Sequence, residues 1–328
     1  MGSIPNDLPE TFTLNTGAKI PAVGFGTWQA APHEVERAVE IALKEGYRHL
    51  DCAAIYRNET EVGEGIRKSG VPRDQIFITS KVWNTKHSPE DVEPALDKTL
   101  KDLGVEYLDL YLMHWPVAFE PSTKWFPLDE EGVFKLADIS YVDTYKAMEK
   151  LLKTGKVRAI GVSNFNIRRL EDLLSKVDVV PAVNQIEAHP YLSQPDLTDY
   201  CKQKGVLIQA YSPLGNNQTG EPKTVDDPLV QEVAKQLGRD AGEILYSWGI
   251  QRGTVVLPKS VTPSRIASNL KVKALPEDAF TRISSLEQHK RFNTSKNWGH
   301  DIFDEIGVEK CKQIARDAGP TNLQKFKV

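Results

Sequence analysis

RAIGVSNFNIRRLEDLLSK, residues 158–176, holds one complete folding unit. RAIGVSN (158–164) is a short apolar run that suits a strand and closes on polar Ser163 and Asn164. NIRRLEDLLSK (166–176) then takes up an amphipathic helical pattern. Continuous apolar runs, rather than strict alternation, suit parallel strands covered by helices. If the unit repeats, the chain is an α/β protein.

It does repeat. AVGFGT (22–27), HLDCA (49–53), IFITSKV (76–82), LDLYLMH (108–114), AVNQIEAH (182–189), VLIQAYS (206–212) and TVVLPKS (254–260) are further strand-like runs, making eight in all. Helical patterns lie between them at 33–46, 88–104, 140–155, 194–205 and 228–238, and a helical stretch follows the second and eighth runs. The 33–46 pattern stops at Gly46; the 88–104 pattern opens with Ser88–Pro89 and acids, an N-cap signature, and ends at Gly104. Eight such units in about 250 residues predict a (β/α)8 TIM barrel. Two doubly wound domains share this alternation, but no linker-like break in composition divides the chain. The expected organisation is one domain over 1–328. An N-terminal β-hairpin (11–21, turning at Asn15–Thr16–Gly17) precedes a barrel (22–284) and a polar C-terminal tail (285–328) carrying Phe292, Trp298 and Phe303. Two long connections, 115–139 and 213–227, have the length of binding loops.

Composition removes several classes. With 328 residues, a net charge of −4 and a hydrophobic share of 40%, the chain can bury a large core and offers no general attraction to nucleic acid or membrane. No apolar run approaches the length of a membrane span. Cys52, Cys201 and Cys311 are few, odd in number and far apart, which fits a reducing compartment rather than a disulfide framework. MGSIPNDLPETF is not a secretory signal, and Asn6 weakens a myristoylation reading. The expected location is cytoplasmic.

In such a barrel the active site gathers at the carboxyl ends of the strands. Those ends carry Asp51, Lys81, His114, Ser163–Asn164, Glu187–His189, Ser212 and Lys259–Ser260, with Gln185 inside the sixth run. Singly, each has an ordinary reading: a turn aspartate, a structural histidine, a solvent-facing lysine. Together on one rim they suggest chemistry. An acid closing the apolar run HLDCA needs a partner if it is buried, and Lys81 is the candidate. Tyr56 follows five residues after Asp51. A free phenol titrates near 10, and an adjacent ammonium would lower that value and make Tyr56 a general acid towards a carbonyl oxygen. His114 would orient the carbonyl by hydrogen bond.

At these residues the sequence resembles the aldo-keto reductases over nearly its whole length. The resemblance lies in GFGTW (24–28), LDCAAIYRNE (50–59), SKVWN (80–84), LDLYLMHWP (108–116), IGVSNF (160–165), NQIEAHPYL (184–192), YSPLG (211–215) and LPKSVTPSRI (257–266). It implies a monomeric TIM barrel reducing small-molecule carbonyl substrates with NADPH. Tyr56 would be the proton donor, Asp51 and Lys81 would tune it, and His114 would position substrate. No G-x-G-x-x-G opens a strand–helix unit, since Gly24-Phe25-Gly26 lacks the third glycine, so the nicotinamide would not sit on a Rossmann fold. The resemblance instead places Ser163, Asn164 and Gln185 on the carboxamide and Tyr211 on the nicotinamide ring. Ser212 and Leu214 would line the pyrophosphate path, with Thr27 and Trp28 flanking ribose and substrate. Lys259, Ser260, Thr262 and Arg265 would hold a 2′-phosphate, whose charge and acceptors they match, and Asn269 would meet the adenine. Two features depart from the family pattern: Ser268 where many members have glutamate, and Asn216–Asn217 where serine-proline is usual.

Trp28, Trp83, Trp115 and Phe119, with Trp125 and Phe126, would wall an apolar substrate pocket beside Tyr56 and His114. The pattern resembles fungal glycerol dehydrogenases and glyceraldehyde reductases, which implies small polyhydroxylated aldehydes, or glycerol oxidation in reverse. Three rivals stay open on sequence: a Schiff-base aldolase using Lys81, a metal-dependent hydrolase using His114, His189, Glu187 and Asp51, and a non-catalytic NADPH-binding protein. For the metal there is no H-x-H or H-E-x-x-H spacing, and no metal is expected.

Overall fold

The computed structural model describes residues 7–29, 31, 33–216 and 220–326. Asn6, Asn217 and the readings made on them lie outside that range. β1 (Thr11–Thr13) and β2 (Lys19–Pro21) form the expected antiparallel hairpin, with Thr11 opposite Pro21. Its turn needs Gly17 at φ 86, a conformation that disfavours residues with a Cβ. Leu14 and Ile20 of the hairpin are buried against Phe77, Leu110, Leu112, Val183 and Val255, so the hairpin plugs one end of the barrel.

The eight remaining strands are β3 (Phe25–Gly26), β4 (His49–Asp51), β5 (Phe77–Val82), β6 (Leu110–Met113), β7 (Ile160–Ser163), β8 (Val183–Glu187), β9 (Leu207–Tyr211) and β10 (Val255–Val256). They pair in parallel and in sequence order from β3 to β10. A parallel bridge from Val23 to Val256, with Gly24 N donating to Val256 O at 2.8 Å, joins the first strand to the last and closes the ring. The fold is the expected (β/α)8 barrel. Gly161 is packed so tightly that a side chain there would press on the Val183 backbone and on Leu112, which is how β7 lies close to its neighbour.

The helices follow the expected pattern with three exceptions. Ser88 caps Pro89–Leu103 with Pro89 in its first turn and Gly104 at φ 66 beyond its end, but the Ser88 hydroxyl makes no capping bond. Ala241–Gln251 has no amphipathic period, because Ile244 through Ile250 are all buried, so it reads as no surface helix. The polar tail contains an 18-residue helix, Val308–Lys325, which the sequence did not suggest. No helix among the described residues is long and apolar enough to cross a membrane, and the three cysteines are free and buried.

The barrel interior is polar on its axis. Gln185 Nε2 donates to Asp51 Oδ1 at 2.7 Å and to Gln209 Oε1 at 2.9 Å, and Gln209 Nε2 reaches His49 Nε2 at 3.1 Å. Burial lowers His49 to about 4, and burial alone takes His87 to about 3. A base depressed on folding binds protons better when unfolded, so stability falls as pH drops below the unfolded value near 6.5. Together the two rings should remove roughly 4 kcal/mol between pH 7 and pH 5. Urea denaturation at the two pH values measures this; equal midpoints would show that the rings are not held neutral.

Candidate active site

Asp51 is the last residue of β4, and Lys81 lies one residue before the end of β5. Their side chains meet inside the rim: Lys81 Nζ is 3.0 Å from Asp51 Oδ1 and 2.9 Å from Oδ2. The ammonium also donates to Cys52 O at 2.7 Å and reaches Tyr56 Oη at 3.4 Å. A buried ion pair is tolerable only when its remaining hydrogen-bonding capacity is met. Cys52 O and Gln185 Nε2 do that here, and Lys81 is completely buried. Tyr56 is delivered by a single 3-10 turn, Ala54–Tyr56, directly after β4. His114 follows β6, and its ring centroid is 6.0 Å from that of Tyr56. The four residues expected to act together do converge.

The expected tuning of Tyr56 is not found. Burial, with the Asp51 carboxylate behind it, pushes the phenol well above 10. The reason is geometric: the Lys81 charge is neutralised by both oxygens of Asp51, and its contact with the phenol is the longest of its four. Burial, then Lys81 and His87, hold His114 well below 6.5. The imidazole is therefore neutral at neutral pH, and its Nδ1 is buried without a partner among the described residues. Lys81, with its protons committed to Asp51 and Cys52, is not arranged as a Schiff-base nucleophile.

Ser163, Asn164, Gln185 and Tyr211 form a connected ledge beside this centre. Tyr211 Oη donates to Asn164 Oδ1 at 2.7 Å, Asn164 Nδ2 donates to His114 O at 2.9 Å, and Ser163 Oγ donates to Gln185 O at 2.8 Å. Asn164 (φ 65) and Ser212 (φ 49) sit in the left-handed region, which turns the chain sharply at the ends of β7 and β9. Gln185 has both amide hydrogens committed, so only its carbonyl oxygen remains for a ligand. Thr27 is turned inward, its hydroxyl donating to Asp51 O at 2.9 Å. Leu214 and Ser212 are half-buried at the start of the loop after β9.

Past β10 the chain exposes Lys259, Thr262 and Arg265 around buried Ser260, whose Oγ accepts from Thr262 N at 3.1 Å. Lys259 Nζ donates to Gln29 O at 3.1 Å, and neither Lys259 nor Arg265 is in an ion pair among the described residues. Burial lowers the Lys259 ammonium, so it would gain from an anion. Two unpaired cations flanked by hydroxyls fit a phosphate monoester. Asn269 is half-buried and interacts with the Tyr47 phenol.

The residues expected to wall a substrate pocket form an aromatic cluster. Trp83 lies edge-on to His114 at 5.3 Å, and Trp115 stacks beside His114 at 6.3 Å. Phe119 is 5.9 Å from Trp83, and Trp125 O accepts from Trp83 Nε1 at 2.7 Å. Trp28 is half-buried and stands outside this cluster. A cavity of about 600 Å³ is lined by Trp83 with Ala54, Pro94, Ala95 and Trp125, and neither Tyr56 nor His114 lines it. Trp298 and Ile302 join the same cluster, which the sequence did not indicate. Trp298 is 5.0 Å from Trp115 and 6.1 Å from Trp83. The only signal was apolar residues in an otherwise polar tail.

Glu187 and His189 are not turned towards the cluster of Asp51, Tyr56, Lys81 and His114. His189 Nε2 is 2.9 Å from Glu187 Oε1, and the carboxylate accepts from Phe292 N and Asn293 N, both at 2.8 Å. The pair is fully buried and ties the tail to the end of β8. Glu187→Ala would leave two tail amides and His189 Nε2 unpaired, which should cost about 3 kcal/mol. Urea denaturation checks the cost, and protease nicking after residue 285 checks the tether.

Residues 22–288 match the family described as "Aldo/keto reductase family". The chain is 49% identical over 326 residues to the D/L-glyceraldehyde reductase of Hypocrea jecorina, covering 94% of this chain and 97% of that one. It is 47% identical over 317 residues to the human aldo-keto reductase family 1 member A1, covering 93% and 95%. Among solved structures it matches the aldose reductase from Schistosoma japonicum with a TM-score of 0.85 and 39% identity, covering 90% and 99%.

Proposed function

The chain belongs to the aldo/keto reductase family of oxidoreductases, and from that premise we propose that it reduces small polyhydroxylated aldehydes such as glyceraldehyde with NADPH, or oxidises glycerol in reverse. The observation that carries this is the Tyr56 hydroxyl, 3.4 Å from a lysine locked to Asp51 and beside a neutral His114. NADPH supplies a hydride when bound. Ser163, Asn164, the Gln185 carbonyl and the Tyr211 ring hold the nicotinamide. Ser212, Leu214, Thr27 and Trp28 border the rest of it, while Lys259, Ser260, Thr262 and Arg265 take the 2′-phosphate and Asn269 the adenine.

His114 donates a hydrogen bond to the carbonyl oxygen and orients it. Tyr56 then gives its proton to that oxygen as charge develops there. A raised phenol is still adequate for this. A free alkoxide is a far stronger base than a free phenolate, so the charge developing on that oxygen draws the proton from the phenol. The high value also keeps Tyr56 protonated throughout the physiological range. Lys81, held in place by Asp51, is the cation beside the phenol oxygen and the route by which a proton can return to it. Trp83 and Trp115 exclude water from one side. The same reading makes the protein a one-domain cytoplasmic monomer, its partners being cofactor and substrate.

Titrating tryptophan fluorescence with NADPH and with NADH tests the cofactor half of this. Quenching at low NADPH and far higher NADH concentrations is expected; equal response to both would remove the 2′-phosphate reading.

A further inference from the structure

The helix Val308–Lys325 lies outside the barrel, yet its contacts lead back to the substrate wall. Its buried positions, Cys311, Ala315, Gly319 and Asn322, form one stripe along the helix. At Gly319 the helix meets the loop after β6 backbone to backbone. A methyl group on Gly319 would overlap the Glu131 carbonyl oxygen, and one on Gly132 would overlap the Gly319 carbonyl oxygen. Asn322, 3% exposed, seals the contact by donating from Nδ2 to Gly132 O at 3.0 Å. Asn322 O in turn accepts from Phe326 N at 2.8 Å, which fixes where Phe326 leaves the helix.

Phe326 then packs on Phe126, ring centroids 4.4 Å apart, and on Phe134 at 5.7 Å. Phe126 is 5.5 Å from Trp83, and Trp83 is 5.3 Å from His114. Four rings thus run without a gap from the end of the chain to the residue beside Tyr56. Each aromatic pair adds about 0.5–1.5 kcal/mol beyond its burial, so losing the outermost ring loosens the next. Phe126 belongs to the long loop, whose strand-like pairings within the described residues are limited to the bridges Phe119–Leu136 and Leu128–Phe134. The backbone on either side of Phe126 is pinned, Trp125 O accepting from Trp83 Nε1 at 2.7 Å and Pro127 O from Lys135 N at 2.9 Å, so what Phe326 adds is the packing that sets the Phe126 ring against Trp83.

We propose that Phe326 is a positioning residue for substrate size, and that the Gly319–Gly132 contact is the clasp that seats it. The inference rests on the reductase reading, in which Trp83 walls the carbonyl pocket. A bulky apolar aldehyde contacts that wall and gains from its rigidity. Glyceraldehyde, small enough to be held by Tyr56 and His114, does not.

The test compares benzaldehyde with glyceraldehyde as substrates for the full-length enzyme. In Phe326→Ala the ratio of kcat/KM, benzaldehyde over glyceraldehyde, should fall about tenfold through KM, the scale of one weakened aromatic pair. Glyceraldehyde kcat should be unchanged, and Phe326→Leu should restore most of the ratio. Gly319→Val should reproduce the Phe326→Ala ratio and open the helix to trypsin at Lys310, Lys312 and Arg316. An unchanged ratio in Phe326→Ala overturns the proposal, as does a Gly319→Val helix that is cleaved while the ratio stays put. If the wild-type enzyme reduces neither aldehyde, the reductase reading fails by itself. The bracing is then decided by tryptophan emission: a red shift in Phe326→Ala supports it, and an unshifted spectrum overturns it.

Discussion

Tyr56→Phe should lower kcat/KM for glyceraldehyde about a thousandfold, in the middle of the range for losing a general acid. The substitution removes one oxygen and leaves the ring, so packing against His114 and the seat of the cofactor persist. NADPH affinity should therefore be unchanged, which separates a lost proton donor from a collapsed site. Stability should change little as well, because among the described residues the phenol oxygen makes only the long 3.4 Å contact to Lys81. A Tyr56→Phe enzyme with near-wild-type turnover would assign the proton to another group. Substitution of Asp51 cannot serve as the same test. It would strand the Lys81 ammonium in the core, and breaking a buried pair from one side is strongly destabilising.

The second large effect is on coenzyme choice. Replacing both Lys259 and Arg265 with alanine should weaken NADPH binding by about 100-fold or more, at roughly 1.5–3 kcal/mol for each charge-assisted bond lost. NADH binding should hold steady, because it has no 2′-phosphate for those cations to meet. Neither side chain supports an ion pair among the described residues, so the double variant should fold normally. The two coenzymes should then bind alike. Equal losses for both would mean that these cations act on the pyrophosphate or on the fold instead.

The barrel and its rim were legible in the sequence because both rest on local rules. A strand such as β7 is short and apolar, ends in polar residues, and is followed at once by a helix, so its carboxyl end can be marked without knowing its neighbours. Once eight such ends are aligned, Asp51, Lys81 and His114 fall on one rim. What escaped was set by contacts distant in sequence. Ala241–Gln251 is buried on every side, which erases the period that reveals a surface helix. Trp298 reaches Trp115 from more than a hundred residues away, and its role depends on where the tail lands. Glu187 and His189 stand on the active rim, but the tail amides at Phe292 and Asn293 claim the carboxylate. The direction of the Tyr56 shift escaped for a different reason. Sequence could place a lysine near the phenol, but only geometry shows that Asp51 takes both sides of its charge first.

The most direct test of this account is the rate of NADPH oxidation by the purified wild-type protein as glyceraldehyde is added. Saturable, aldehyde-dependent turnover that is far slower with NADH at equal concentration is the predicted result. NADPH oxidation that does not respond to glyceraldehyde or to any other small carbonyl compound would contradict it.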